Sequence, residues 1–119
     1  MNDLKLGTVE MQFAEIIWAH APLSSGSLVT LCAEQLGWKK STTYTVLKKL
    51  CNRGLFRNEN GTVTPLISRA EYDAMQSAQF VEENFSGSLP AFFAAFTKKK
   101  ALSQSEIDEI RAMIDNMGA

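Results

Sequence analysis

At 119 residues, with 45% hydrophobic and 21% charged residues, the chain has room for one compact domain and an appendage, and it is too apolar for a disordered protein. No stretch approaches the roughly 18 apolar residues of a membrane span, and the Met1 to Leu6 segment lacks the apolar core of a signal peptide, so a cytoplasmic protein without membrane insertion is expected. The net charge of −1 argues against a nucleic-acid partner only as a total, and its distribution reverses that impression.

Residues 1–67 hold seven basic and five acidic residues, whereas residues 68–119 hold five basic and eight acidic. Six cations, Lys39, Lys40, Lys48, Lys49, Arg53 and Arg57, lie in a run from Gln35 to Asn58 that contains no carboxylate. Charge therefore divides the chain into a basic part, 1–67, and an acidic part, 68–119.

The first helix is expected over Thr8 to His20, with Met11, Phe13, Ala14, Ile17 and Trp18 as its apolar stripe. The only histidine, His20, sits at its C-terminus and complements the helix dipole there. Leu23-Ser24 is expected to open a second helix, with Ser24 as N-cap, Leu28, Leu31, Cys32 and Leu36 facing inward, and Gly37 as the stop. A third helix is expected from Ser41 to Asn52, ending before Gly54. Leu55–Asn58 and Thr62–Leu66 then flank the turn Glu59-Asn60-Gly61 as a hairpin. Three helices and a hairpin make the order of a winged helix-turn-helix.

Two segments downstream share a capping box with a hydrophobic staple. Ile67-Ser68-Arg69-Ala70-Glu71-Tyr72 starts a fourth helix, and Leu102-Ser103-Gln104-Ser105-Glu106-Ile107 starts the last one. Gly87-Ser88-Leu89-Pro90 breaks the chain between them and opens a short helix carrying Phe92, Phe93 and Phe96. The expected class is mainly α: a winged helix over 1–67 and a helical dimerisation region over 68–119.

On the third helix, Thr43, Val46, Leu47, Leu50 and Cys51 fall on one side and form the docking face. The other side carries Ser41, Thr42, Tyr44, Thr45, Lys48 and Lys49. A merely solvated helix face would hold stronger helix formers than this hydroxyl cluster. Hydroxyls and threonine methyls suit base edges in a major groove, and lysine suits guanine acceptors or phosphate. Lys39, Lys40 and Arg53 are read as phosphate clamps, and Arg57 with Asn60 as the polar end of a wing. Cys32 and Cys51 have no Cys or His at metal-ligand spacing and read as core thiols, so no metal and no cofactor are expected. No nucleophile with its base, paired carboxylates or phosphate-cradling glycine loop is present, which excludes an enzyme. A ligand-controlled winged-helix regulator and a winged-helix protein-contact module are the competing classes.

In several features the chain resembles the penicillinase-repressor family of bacterial regulators, the BlaI/MecI/CopY type. These are Glu10 to Trp18 ending in Ile17-Trp18, Trp38 before the third helix, Thr42 and Thr45 within it, Leu47-x-x-Leu50, and Gly54 before the wing. Thr64-Pro65 leading into Ser68-Arg69-x-Glu71-Tyr72, and Leu102-Ser103 with Glu106-Ile107 and Glu109-Ile110, extend the resemblance over most of the chain. It implies a homodimeric repressor on a palindromic operator of double-stranded DNA, held together by its C-terminal helices. The residues agree: Ile107, Ile110, Ile114 and Met117 recur at helical spacing and, with Phe92, Phe93 and Phe96, offer more apolar surface than two short helices bury.

Copper-responsive members of that family carry paired cysteines near the C-terminus, and this chain has no cysteine beyond Cys51. The β-lactam-responsive members resemble a system in which a membrane-bound sensor metalloprotease cuts an Asn-Phe bond in the dimerisation half. Ala95-Phe96 is the corresponding bond here, with Phe kept and Asn replaced. Lys98-Lys99-Lys100, just after it, reads as an exposed loop or linker.

Overall fold

The structure is a computed structural model that describes residues 4–118. In chain order its elements are α1 (Thr8–His20), β1 (Leu23–Ser24), α2 (Ser25–Leu36), α3 (Lys40–Asn52), β2 (Phe56–Glu59), β3 (Thr62–Pro65), α4 (Arg69–Phe85), α5 (Leu89–Lys99) and α6 (Gln104–Met117). The protein is mainly helical with a small antiparallel sheet, a winged helix with helical elements after it in the chain. Two compact units divide within α4, one ending at Ser77 and the other beginning at Ala78.

In the first unit, α1 forms because its apolar residues return every three or four positions, and it buries Phe13, Ala14, Ile16 and Ile17. The Gly7 amide donates to Glu10 Oε1 at 3.1 Å, which satisfies a donor at the helix start. Ser24 caps α2 by accepting from the Ser27 amide at 3.0 Å. Gly37 ends that helix at φ 69°, a left-handed conformation that costs glycine little. Phe13, Ile17, Leu28, Leu47, Leu50, Leu55, Phe56 and Val63 are fully enclosed, each contributing roughly 1.5–3 kcal/mol by leaving water. Trp38 stacks on Phe13 with ring centroids 5.4 Å apart, which fixes the short connection from α2 to α3. Cys32 and Cys51 are free, and burial pushes both thiols up, as for core thiols.

Two expectations need correction. Leu23 and Ser24 form a short strand before the second helix: Leu23 pairs with Val63 and Ser24 with Thr62, giving a three-stranded sheet in the order β1-β3-β2. The pairing buries Leu23, a gain that a helical first turn would forgo. The hairpin turn is also shorter than expected. Glu59 pairs with Thr62, leaving Asn60 at φ 53° and Gly61 at φ 81° as the two turn residues. Positive φ at both central positions is the geometry that matches the twist of paired strands, and Asn-Gly is the sequence best suited to it.

The beginning of α4 belongs to this unit. Ser68 and Glu71 form the expected capping box: the Glu71 amide donates to Ser68 Oγ at 3.0 Å, and the Ser68 amide donates to Glu71 Oε1 at 2.9 Å. Tyr72, buried, accepts the Leu6 amide proton through its phenol oxygen at 2.8 Å. The Trp18 indole donates to the Ile67 carbonyl at 2.9 Å, and Arg69 lies over the same ring while pairing with Glu15 at 2.9 Å.

The second unit has the caps of well-formed helices but no interior. Ser88 accepts from the Ala91 amide at 3.1 Å to start α5, and Ser103 with Glu106 makes the capping box of α6. Phe92 packs against Phe80, Phe85 and Phe96, with centroids 5.5–6.0 Å apart. Among the described residues from Ala78 onward none is buried. Among the described residues no helix is long and apolar enough to cross a membrane.

Candidate nucleic-acid interface

Helix α3 buries Thr43, Leu47 and Leu50 and keeps Val46 and Cys51 half-buried, so one side is committed to the core. Ser41, Thr42, Thr45, Lys48 and Lys49 are exposed on the remaining surface, with Tyr44 half-buried at its margin. Thr43 turns its hydroxyl back onto the Lys39 carbonyl at 3.3 Å, and its burial separates it from the neighbouring hydroxyls.

The start of α3 breaks a local rule. Its N-cap is Lys39, which supplies no side-chain hydrogen bond, its first residue is Lys40, and its first turn has no acidic residue. Two cations at the positive end of a helix dipole oppose it, typically by about 0.3–1 kcal/mol each. Among the described residues neither lysine has an ion-pair partner, nor does Lys48. A helix start that concentrates positive charge beside its first amide donors has the chemistry to receive an anion. Local stability does not explain that choice.

On the wing, Arg57, Asn58 and Asn60 are exposed, and Arg57 approaches Glu59 at 3.9 Å. The turn is tied back to the helices: the Ser25 amide donates to the Gly61 carbonyl at 2.8 Å, and the Tyr44 hydroxyl donates to Ser25 Oγ at 3.1 Å. Between α3 and the wing, Tyr44, Leu47, Lys48, Cys51 and Asn58 line an open depression of about 380 Å³.

Glu10 and Ser25 escaped the sequence reading. The run from Gln35 to Asn58 lacks carboxylates in sequence, but α1 brings Glu10 against it in space. Lys49 Nζ lies 2.9 Å from Glu10 Oε2, and Arg53 Nη1 lies 3.5 Å from Oε1. Arg53 also donates through Nη2 to the Lys5 carbonyl at 2.8 Å and is only half-exposed. Bonding from Lys49 and the Gly7 amide holds the Glu10 carboxyl below the usual carboxylate range. The acceptor bond to Gly7 marks Glu10 as a helix-start residue, and no local signal reveals its second role.

In the second unit Phe93 and Phe96 are 42% and 45% exposed, and Ile114 and Met117 are 60% and 83% exposed, whereas Phe92, Ile107 and Ile110 are half-buried. Phe80 and Phe85, unremarked in the sequence, complete the aromatic cluster around Phe92. The Ala95–Phe96 bond lies inside α5, and Lys98 and Lys99 occupy the last turn of that helix instead of a loop, because the i to i−4 ladder runs on to the Lys100 amide.

A model of the penicillinase repressor family matches residues 6–116. The chain belongs to that family. Its curated relatives are distant. The chain is 24% identical to the penicillinase repressor of Bacillus licheniformis over 115 residues, covering 93% of this chain and 90% of that one. It is 23% identical to the methicillin resistance regulatory protein MecI of Staphylococcus aureus strain Mu50, covering 93% and 94%, and 22% identical to MecI of Mammaliicoccus sciuri with the same coverage. A match over nearly the whole length means that the wing and the α4–α6 segment belong to the family pattern along with α3. This penicillinase-repressor family member therefore shares the sequence of both of its units with these relatives.

Proposed function

We propose that the protein is a transcriptional repressor that binds operator DNA as a homodimer, reading bases with Ser41, Thr42, Thr45 and Lys48 and gripping phosphates with Lys39 and Lys40. The observation that carries this reading is the unpaired Lys39-Lys40 start of α3 beside an exposed hydroxyl face. Membership in a family of repressors supports it. Lys49, Arg53 and Tyr44 stand at the edge of the contact, with Arg57 and Asn60 on the adjacent backbone side.

Dimerisation is assigned to the second unit, through Phe92, Phe93, Phe96, Ile107, Ile110, Ile114 and Met117. The end of α4 with α5 and α6, in which no described residue from Ala78 onward is buried, gains too little from burial to repay the entropy of ordering itself, and a second copy supplies the missing cover most economically. Two linked reading heads would also raise affinity on a palindromic site.

For release, we propose cutting at Ala95–Phe96 by a membrane-bound metalloprotease. The bond sits on an exposed helix of a unit without a core, so local unwinding there is cheap. The names of the relatives place them in penicillinase and methicillin-resistance regulation, and antibiotic-resistance genes are the proposed regulon. Selection of bound duplexes from a random pool tests the core of this reading: an enriched palindrome is expected, and no enrichment together with salt-independent retention would refute it. Mass spectrometry after co-expression with the protease encoded nearest the gene tests release; an intact chain would exclude the cut.

A further inference from the structure

We infer that Glu10 is a built-in competitor of the DNA backbone, holding Lys49 back from phosphate and so limiting how tightly α3 grips DNA of any sequence. The inference rests on the DNA-binding reading above. It begins from a contrast among the cations of α3. Lys39, Lys40 and Lys48 have no ion-pair partner among the described residues, whereas Lys49, 62% exposed, reaches Glu10 at 2.9 Å. The carboxylate is the better fixed of the two groups: it is 21% exposed, it accepts the Gly7 amide, and Arg53 closes its other side while anchored to the Lys5 carbonyl. A largely covered carboxylate, anchored by the Gly7 amide, beside an exposed surface cation is a stand-in for phosphate.

The magnitude makes it a limiter and not a block. A surface ion pair contributes about 0.2–1 kcal/mol, so removing the competitor should tighten phosphate-driven binding by about 1.4- to fivefold. Each additional phosphate contact steepens log K against log salt by about 0.9. The phosphate contact is independent of sequence, so this restraint lowers binding to operator and to random DNA by the same factor and sets overall affinity, not base preference.

The test uses the full chain with Glu10→Gln, Lys49→Ala and the double substitution, titrated by fluorescence anisotropy against a short random-sequence duplex across a salt series. Glutamine keeps the oxygen that accepts the Gly7 amide, so the start of α1 is retained. Glu10→Gln is expected to bind about 1.4- to fivefold tighter than the parent, with a slope steeper by about 0.9, and the double variant is expected to lose both gains. A salt-dependent parent with an unchanged or weaker Glu10→Gln variant overturns the inference and leaves DNA binding standing. A parent without salt dependence overturns DNA binding itself. If Glu10→Gln melts well below the parent, NMR titration of the Glu10 carboxyl in the parent decides the matter. Its titration is expected at higher pH with duplex bound than without, and an identical titration in a bound complex overturns the inference.

Discussion

The Tyr44 hydroxyl donates to Ser25 Oγ at 3.1 Å, and the amide of the same serine donates to the Gly61 carbonyl in the wing turn at 2.8 Å. One residue at the start of α2 thus joins α3 to the hairpin. Tyr44→Phe keeps the ring and removes the joint. It is expected to lower stability by about 0.5–1.5 kcal/mol, the net worth of one hydrogen bond, measured by urea denaturation, with a smaller effect on operator preference than Thr45→Ala has. A loss of sequence preference as large as that of Thr45→Ala would assign the hydroxyl to base contact instead.

Thr45 and Lys48 are exposed one turn apart on the face away from the core. Thr45→Ala should leave thermal stability nearly unchanged and relax base preference at one operator position by about 1–3 kcal/mol. Lys48→Ala should reduce the salt slope by about 1 across all sequences. Competition binding against single-base operator variants separates the two.

The buried pair of Leu6 and Tyr72 gives a stability prediction free of DNA. The two residues are 66 positions apart, and the phenol is the acceptor for a buried amide. Tyr72→Phe leaves that donor without a partner and should cost about 1–3 kcal/mol, read as a lower urea midpoint with an unchanged slope.

Glu10 predicts the acid side of the stability profile. Its carboxyl is held below the ordinary range, first by Lys49 and then by the Gly7 amide. The folded protein therefore binds fewer protons at this group than the unfolded chain, and the resulting stability is present above the unfolded value near about 4.3. It disappears as pH falls through the lower folded value. The stability difference between the parent and Glu10→Gln should accordingly be constant near neutrality and shrink below about pH 4.3. A difference that stays constant down to the acid transition would refute the ion pair.

Ile114 is 60% exposed in the single chain, so Ile114→Asp removes little intrachain packing. It should leave the first unit's melting intact and convert a dimer to a monomer in sedimentation equilibrium, with operator affinity falling by at least about tenfold as bivalency is lost. A dimer that survives this change would move the interface elsewhere.

What the sequence determined was local. Thr8 to His20 reads as a helix from its spacing alone, Gly37 and the two Ser-x-x-Glu boxes mark their termini, and Asn60-Gly61 announces a hairpin, because each signal acts within a turn or two of chain. The exposed hydroxyls of α3 were legible for the same reason: once Leu47 and Leu50 are assigned inward, the helix period places Thr45 and Lys48 outward. Tertiary structure decided what depends on distant partners. Leu23 becomes a strand only because Val63 stands 40 residues away to pair with it, and a two-residue strand has no period to recognise. Lys49 and Arg53 look identical in sequence to their unpaired neighbours, yet α1 delivers Glu10 to them across 39 and 43 positions. A charge run can be counted along the chain, but which of its cations remain available for phosphate is settled only when the helices pack.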